Sequence, residues 1–403
     1  MIGRPAPANA LEEHWAPDLP TQAGLDGIRF DFNEGARVAL PASETAWRVR
    51  ITNTRTATVL HDGLADPGSL VNPTLAHYQP LRIEVYAGTE SPVFVHDYSA
   101  RDRDILIQFP ANGLGDTISW ISATERFRQH HQCRLTVMMR QHFIDLFAPV
   151  YPDITFRTAT QVDPAEYYAT YKIMLYYNDH GHDYQFFDYQ SVPLHHVAAY
   201  ILGLPPDEVP PLLSFSADTP PLDQPYVCIA VQASGQLKTW CNPEGWRDVV
   251  SYLNAHGLRV VCIDQKSHHA NGLIITQMPT GCQDETGNRP LAERARWLRH
   301  AAAFIGVSSG LSWLAWAAGT PVVMISGFTH PLNEFYTPYR VINWHTCNSC
   351  WNDVALSYDT SNSNWCPRHA GTPRQFECSR LITSQHVTDT LSRIPQLIGH
   401  DAR

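Results

Sequence analysis

Apolar and polar residues alternate with period two through IRFDFNEGARVAL, WRVRITNTRTATVL, LRIEVYAG and PVFVHDY, with Gly, Asn and Pro turns between them. Such alternation puts successive side chains on opposite faces and predicts antiparallel strands. Residues 23–100 therefore read as a small β-domain, a barrel or a sandwich. The rhythm changes at DILIQFPANGLGDTISWISATERFRQ, where a short apolar strand (Ile105 to Phe109) runs through a glycine loop into an amphipathic helix. CRLTVMMR and DITFRTA supply the next strands, which gives βαβ texture. The Tyr-, His- and Pro-rich stretch from Ala165 to about Pro225 reads as loop and helix joining two lobes. A second βαβ run follows: YVCIAVQA, a helix from Trp246 to Asn254, GLRVVCID, the helix LAERARWLRHA, AAFIGV, the loop SSGLSW leading into a helix, and TPVVMIS. The predicted fold class is α/β, with two Rossmann-like lobes and ligands bound beyond the carboxyl ends of their strands. The chain divides into a Pro- and Ala-rich arm (1–22), the β-domain (23–100), the first lobe with its linker (101–222), the second lobe (223–345), a cysteine finger (346–380) and a C-terminal helix (381–403).

Composition narrows the function classes. At 403 residues the chain is too long for one small core. Its net charge of −10, without any Lys/Arg run, argues against nucleic-acid binding. The N-terminal stretch carries Glu12, Glu13 and Asp18 and lacks the apolar core of a signal peptide. No segment reaches the length of a membrane span. Cytoplasmic residence without membrane insertion is the expectation, and nine cysteines there are thiols or metal ligands rather than disulfides. Cys133, Cys228, Cys241, Cys262 and Cys282 are scattered and read as small interior residues.

The other four cysteines are grouped. Cys347 and Cys350 form a C-x-x-C knuckle, and Cys366 and Cys378 follow within reach of the same ion. Four thiolates suit tetrahedral zinc or iron, and a centre with no spare ligand position is structural. His369 lies close by as a substitute ligand. His180, His182, Asp183, His195 and His196 could form a second metal cluster, but surface histidines are the simpler reading.

Three strand-loop-helix junctions carry candidate chemistry. Gly113-Leu114-Gly115-Asp116 opens a helix, where glycines admit a ligand to the backbone and Asp116 is either a general base or only a helix cap. Lys238, with Thr239 and Trp240, follows a strand end and either neutralises a diphosphate leaving group or is a solvated loop lysine. Ser308, Ser309, Gly310 and Leu311 open another helix, as an anion cradle or as a plain turn.

The pieces NGLGDTI, LKTW and GVSSGLSWLAWAAGTPVVMISG occur in the order found in ADP-heptose-using glycosyltransferases of the GT-B fold. More narrowly, residues 25 to 400 resemble the bacterial autotransporter heptosyltransferases, whose cysteine-bound iron finger the quartet resembles. The resemblance implies a protein O-heptosyltransferase that moves heptose from ADP-heptose to serines of an autotransporter adhesin passenger before export. It implies Asp116 as catalytic base and Gly113, Gly115, Thr117, Lys238, Trp240, Ser308, Ser309, Gly310 and Leu311 as donor-binding residues. It also implies one structural iron per chain on Cys347, Cys350, Cys366 and Cys378, with zinc as the alternative, and a homo-oligomer of dodecameric size. Lipopolysaccharide heptosyltransferases usually carry Asp at the position of Ser308 and His at that of Trp313, so a lipopolysaccharide-core enzyme is the second reading. A non-catalytic adhesin-binding assembly module is the third.

Overall fold

The computed structural model describes residues 16–398 apart from 45, 73–74, 112 and 271–274. Residues 1–15 of the predicted arm and 399–403 of the predicted C-terminal helix lie outside the described residues.

Two sheets form the bodies of the lobes. In the first, Ile154–Arg157, Arg134–Met138, Asp104–Gln108, Ala169–Lys172 and Arg29–Asn33 lie side by side in parallel. Arg37–Ala39 and Leu70–Val71 then extend it antiparallel, and Gln22–Ala23 pairs with Arg29–Asn33. The second sheet is parallel throughout, in the order Gln283–Asp284, Arg259–Cys262, Tyr226–Ala230, Ala303–Val307, Val322–Ile325, Arg340–Val341. Its central strands YVCIA and AFIGV are buried at every position, as strands covered by helices on both faces must be. The C-terminal helix Ser384–Leu391 packs on the helix Gly245–Ala255 and on the last two strands of this sheet. No described helix is long and apolar enough to cross a membrane.

Two expectations need correction. The antiparallel strands of 23–100 exist, but they are shared between two sheets. Only Val59–Ala65, Trp47–Asn53, Leu81–Tyr86 and Phe94–Asp97 form a separate four-stranded sheet. Trp47, Val49, Ile51, Ile83 and Val85 alternate inward there, and Phe94 meets Phe30 of the first lobe's sheet at 5.2 Å between ring centroids. The β-region is thus one wall of a layered structure whose core is continuous with the first lobe. Second, the predicted linker supplies Ala169–Lys172, a central strand of the first sheet, paired with Ile105–Gln108 on one side and Phe32–Asn33 on the other. Residues 16–23 are also tied down. Thr21 N–H donates to Asp31 (2.9 Å), Arg29 reaches Pro20 O (2.8 Å), and the buried Asp31–Arg37 pair (2.6 Å) binds Pro17 O.

Candidate active site

The helix Leu114–His131 follows the first-lobe strand Asp104–Gln108, and the helix Gly310–Ala317 follows the second-lobe strand Ala303–Val307. Their N-terminal turns meet between the lobes. A Cβ built on Gly310 would stand 2.6 Å from Leu114 Cβ, and one on Gly115 would stand 2.8 Å from Trp313 Cδ1. Gly310 is therefore required by the close approach of Leu114 and the Gly115 N–H, and Gly115 by the Trp313 ring. The first N–H groups of each helix lack intrahelical acceptors, so two positive helix ends converge on one place.

Asp116 lies in the first turn of its helix, not at the cap, which is Gly113. Its carboxylate folds back over Gly113, where any side chain would collide with Oδ2. It accepts no hydrogen bond from the described residues, so the cap reading of this aspartate fails. Burial raises its pKa above the ordinary carboxylate range, while Lys238 draws it down. An uncommitted carboxylate with raised proton affinity is suited to general-base work. Thr117 is buried, and its hydroxyl donates to Gly113 O (3.0 Å), so it shapes the turn.

Lys238 ends the short turn Gln236–Lys238. It makes no ion pair among the described residues, and its Nζ stands 6.0 Å from the centre of the Phe328 ring. Trp240 behaves otherwise: it is buried in the second-lobe core, donates its indole N–H to Ile382 O (3.0 Å) and covers Gly245. It has no polar group left to offer a ligand.

Ser308 is also internal. Its hydroxyl donates to Glu334, which forms a buried pair with Arg340 (2.9 Å). Ser309 caps the helix with no side-chain hydrogen bond among the described residues, which leaves its hydroxyl and the N–H groups of Gly310 and Leu311 for a ligand. Trp313 packs against Phe335 (5.0 Å) and fills the space beside Gly115.

The cysteine finger is a clamp between the lobes. Gln190, from the first-lobe linker, donates to the carbonyls of Trp351, Asp353 and Leu356 (2.8, 3.1 and 3.2 Å). On the other side, Leu237 N–H reaches Ser363 O (3.4 Å) and Cys241 N–H reaches Ser379 Oγ (3.2 Å), which braces the Lys238 turn. Tyr358 of the finger meets Trp351 and Trp365 edge-on, and Phe328 packs edge-on against Trp365 and tilted against Trp351. Tyr177 and Tyr189 of the linker close this aromatic wall.

Cys347 and Cys350 both accept from the Arg368 guanidinium (3.7 Å each), and burial together with the neighbouring thiols raises the proton affinity of Cys350 and Cys378. Burial and its neighbours push Cys350 up to about 12. A soft, all-sulfur donor set beside a guanidinium fits a thiophilic metal in its chemistry. No group of three ligand side chains stands in ligating arrangement among the described residues. His195, expected at the surface, is instead 8% exposed, with its ring 6.4 Å from Trp313; burial beside His196 lowers it to about 4. Sequence reasoning missed Tyr177, Gln190, Phe328 and Glu334. The Tyr-rich composition around 176–189 was the only signal for any of them.

The sequence compares as follows. Residues 24–89 match the N-terminal domain of glycosyltransferase TibC, and residues 195–365 match glycosyltransferase family 9 (heptosyltransferase). Autotransporter heptosyltransferase BAHTCr of Citrobacter rodentium is 46% identical over 94% of this chain and 91% of its own. The inactive autotransporter heptosyltransferase BimC of Burkholderia thailandensis is 45% identical over 94% of this chain and 88% of its own. The crystal structure of dodecameric iron-containing heptosyltransferase TibC with ADP-D-beta-D-heptose superposes with a TM-score of 0.90 at 43% identity, covering 94% of this chain and 98% of that one.

Proposed function

The chain belongs to the autotransporter heptosyltransferase family, and on that premise we propose that it moves heptose from ADP-heptose to serine hydroxyls of an autotransporter adhesin. Asp116 takes the proton of the serine as its oxygen attacks the anomeric carbon. The bond to the diphosphate breaks on the opposite face. Lys238 and the N–H groups of Ser309, Gly310 and Leu311 stabilise the departing ADP. The observation that carries this reading is Asp116, its proton affinity raised by burial and without a hydrogen-bond donor among the described residues, together with Lys238, without an ion pair among them, where two helix N-termini converge.

Cys347, Cys350, Cys366 and Cys378 would hold one iron, which cross-links the finger and does no transfer chemistry. Arg368 offsets the excess negative charge of four thiolates. The reaction takes place in the cytoplasm, on a dodecameric assembly like that of the relative TibC. Replacing Cys350 with Ser should abolish bound iron and lower the melting temperature; unchanged metal content removes Cys350 from the ligand set.

The deciding experiment is the intact mass of a passenger fragment co-expressed with this chain in a heptose-producing host, beside the Asp116→Ala variant. Increments of one heptose that vanish in the variant support both reaction and base. The similarity to an inactive relative favours one alternative, a non-catalytic adhesin-binding module. That module would bind the passenger and release no ADP.

A further inference from the structure

No described donor holds the Asp116 carboxylate, so its aim is set by the helix that carries it. One turn further along the same face stands Trp120. Its indole is fully buried, and the indole N–H donates to Leu194 O (2.7 Å), at the start of the linker helix Leu194–Ile201. The N–H of Leu194 is an end donor with no acceptor inside its own helix. It crosses to the second lobe and donates to Asn333 O (3.0 Å). Asn333 is buried too, and its side chain is fully engaged. Its Oδ1 accepts the indole N–H of Trp351, the finger residue next to Cys350 (2.7 Å). Its amide nitrogen donates to Glu334 (3.4 Å), the carboxylate bonded to Ser308. One residue therefore meets the finger, the linker helix on which the base's helix is fastened, and the carboxylate beneath the donor loop.

Trp120, Leu194, Asn333 and Trp351 are all buried, where a hydrogen bond is costly to leave unmade and is weakly screened. Their three bonds run in series from the first lobe through the linker to the second lobe and the finger. The series fixes the helix of Asp116 against the lobe that carries Lys238 and Gly310. Transfer needs that separation held, because base and leaving-group contacts act on one reacting carbon from opposite sides. Resting on the heptosyl-transfer reading, we propose that Trp120 and Asn333 are positioning residues for Asp116, joined through Leu194 in a hydrogen-bonded relay by which the second lobe and the finger aim the base. The finger then bears on the rate without meeting either substrate.

The test compares Trp120→Phe, which removes the indole N–H and keeps a ring, with Asn333→Ala and Trp351→Phe, which break the finger's link from its two ends. Transfer to a serine-bearing passenger fragment, ADP affinity by calorimetry and iron content are measured on each. Trp120→Phe should lower kcat about tenfold, with acceptor KM, ADP affinity and iron close to wild type, since a misaimed base costs rate rather than binding. Asn333→Ala and Trp351→Phe should each lower kcat about threefold in the same way. Trp120→Phe combined with Asn333→Ala should lose no more than Trp120→Phe alone, because a series is cut only once. Wild-type kcat in Trp120→Phe overturns the proposal. So does a double variant whose loss is the product of the single losses. A loss found in Trp351→Phe together with its iron, and absent from Asn333→Ala, belongs to the metal and also overturns it. Hydrogen exchange separates the relay from the transfer reading. Asn333→Ala should speed amide exchange about fivefold in residues 114–121, a helix that Asn333 reaches through Leu194. If wild type transfers nothing, the transfer reading fails, and exchange still decides the relay: unchanged rates at 114–121 overturn it.

Discussion

The two lobes place the same unit at the cleft, a parallel strand turning through a glycine loop into a helix, and use it for opposite purposes. At Gly113–Asp116 the side chain is the functional part: a carboxylate that no described donor satisfies, kept protonatable by burial. At Ser308–Leu311 the first side chain is spent on Glu334, which Arg340 holds, and the backbone is left to act. On the proposed reading, one junction supplies a base and the other supplies a dipole. The division is physically sensible, because a second carboxylate facing a departing diphosphate would repel it, whereas N–H groups attract it without any charge to desolvate.

The sharpest way to break the comparison is at the base. Asp116→Asn keeps the shape and removes the proton acceptor, so transfer should fall by about 10²–10⁴-fold, the span of general-base contributions. ADP should still bind. Quantifying passenger heptose by mass spectrometry together with ADP affinity checks both halves, and full activity in the variant would end the base assignment.

Lys238→Ala comes next, with a loss of about 10²-fold in kcat if it carries leaving-group charge. It also makes a directional prediction for pH. Lys238 lowers the proton affinity that burial has raised in Asp116, and the base works only when deprotonated. Activity should therefore rise with pH through a limb above the ordinary carboxylate range. Removing Lys238 should move that limb to higher pH, visible in a pH–kcat/KM profile; a shift to lower pH would contradict the coupling.

Gly310→Ala tests the convergence itself. The added methyl meets Leu114 Cβ at 2.6 Å and Gly115 N at 3.1 Å, so the helix ends must part. A displacement of that kind should raise the donor KM about tenfold, measured by initial rates.

Much of this arrangement was legible because it is local. Gly113, Gly115 and Gly310 sit at strand-to-helix junctions where a side chain would collide, the Lys238 turn follows a strand end, and the four grouped cysteines stand apart from the five dispersed ones. What was illegible depends on partners far along the chain. Ala169–Lys172 is four residues without alternation, and only its pairing with Ile105–Gln108 and Phe32–Asn33 makes it a strand. The antiparallel alternation of 23–100 was visible, but not which strands leave to complete the first-lobe sheet. Trp240 and Ser308 looked available in a motif because sequence does not reveal that Ile382 and Glu334 already occupy them. Tyr177 meets Trp351 and Tyr358 of the finger only through the folding of the linker.

The smallest effect is the most discriminating. If Ser308 acts on Glu334 rather than on the donor, Ser308→Ala removes one buried hydrogen bond and should cost about 1–2 kcal/mol of stability, read by denaturant unfolding. The Glu334–Arg340 pair survives, so the loop keeps its path and its N–H groups keep their aim. Transfer should then change by less than about threefold, because a group that touches neither substrate nor base adds nothing specific to the transition state. A loss approaching that of Lys238→Ala would mean that the Ser308 hydroxyl turns from Glu334 to the diphosphate when donor binds. The second junction would then join the first in acting through a side chain, and the contrast between the lobes would collapse to one of charge alone.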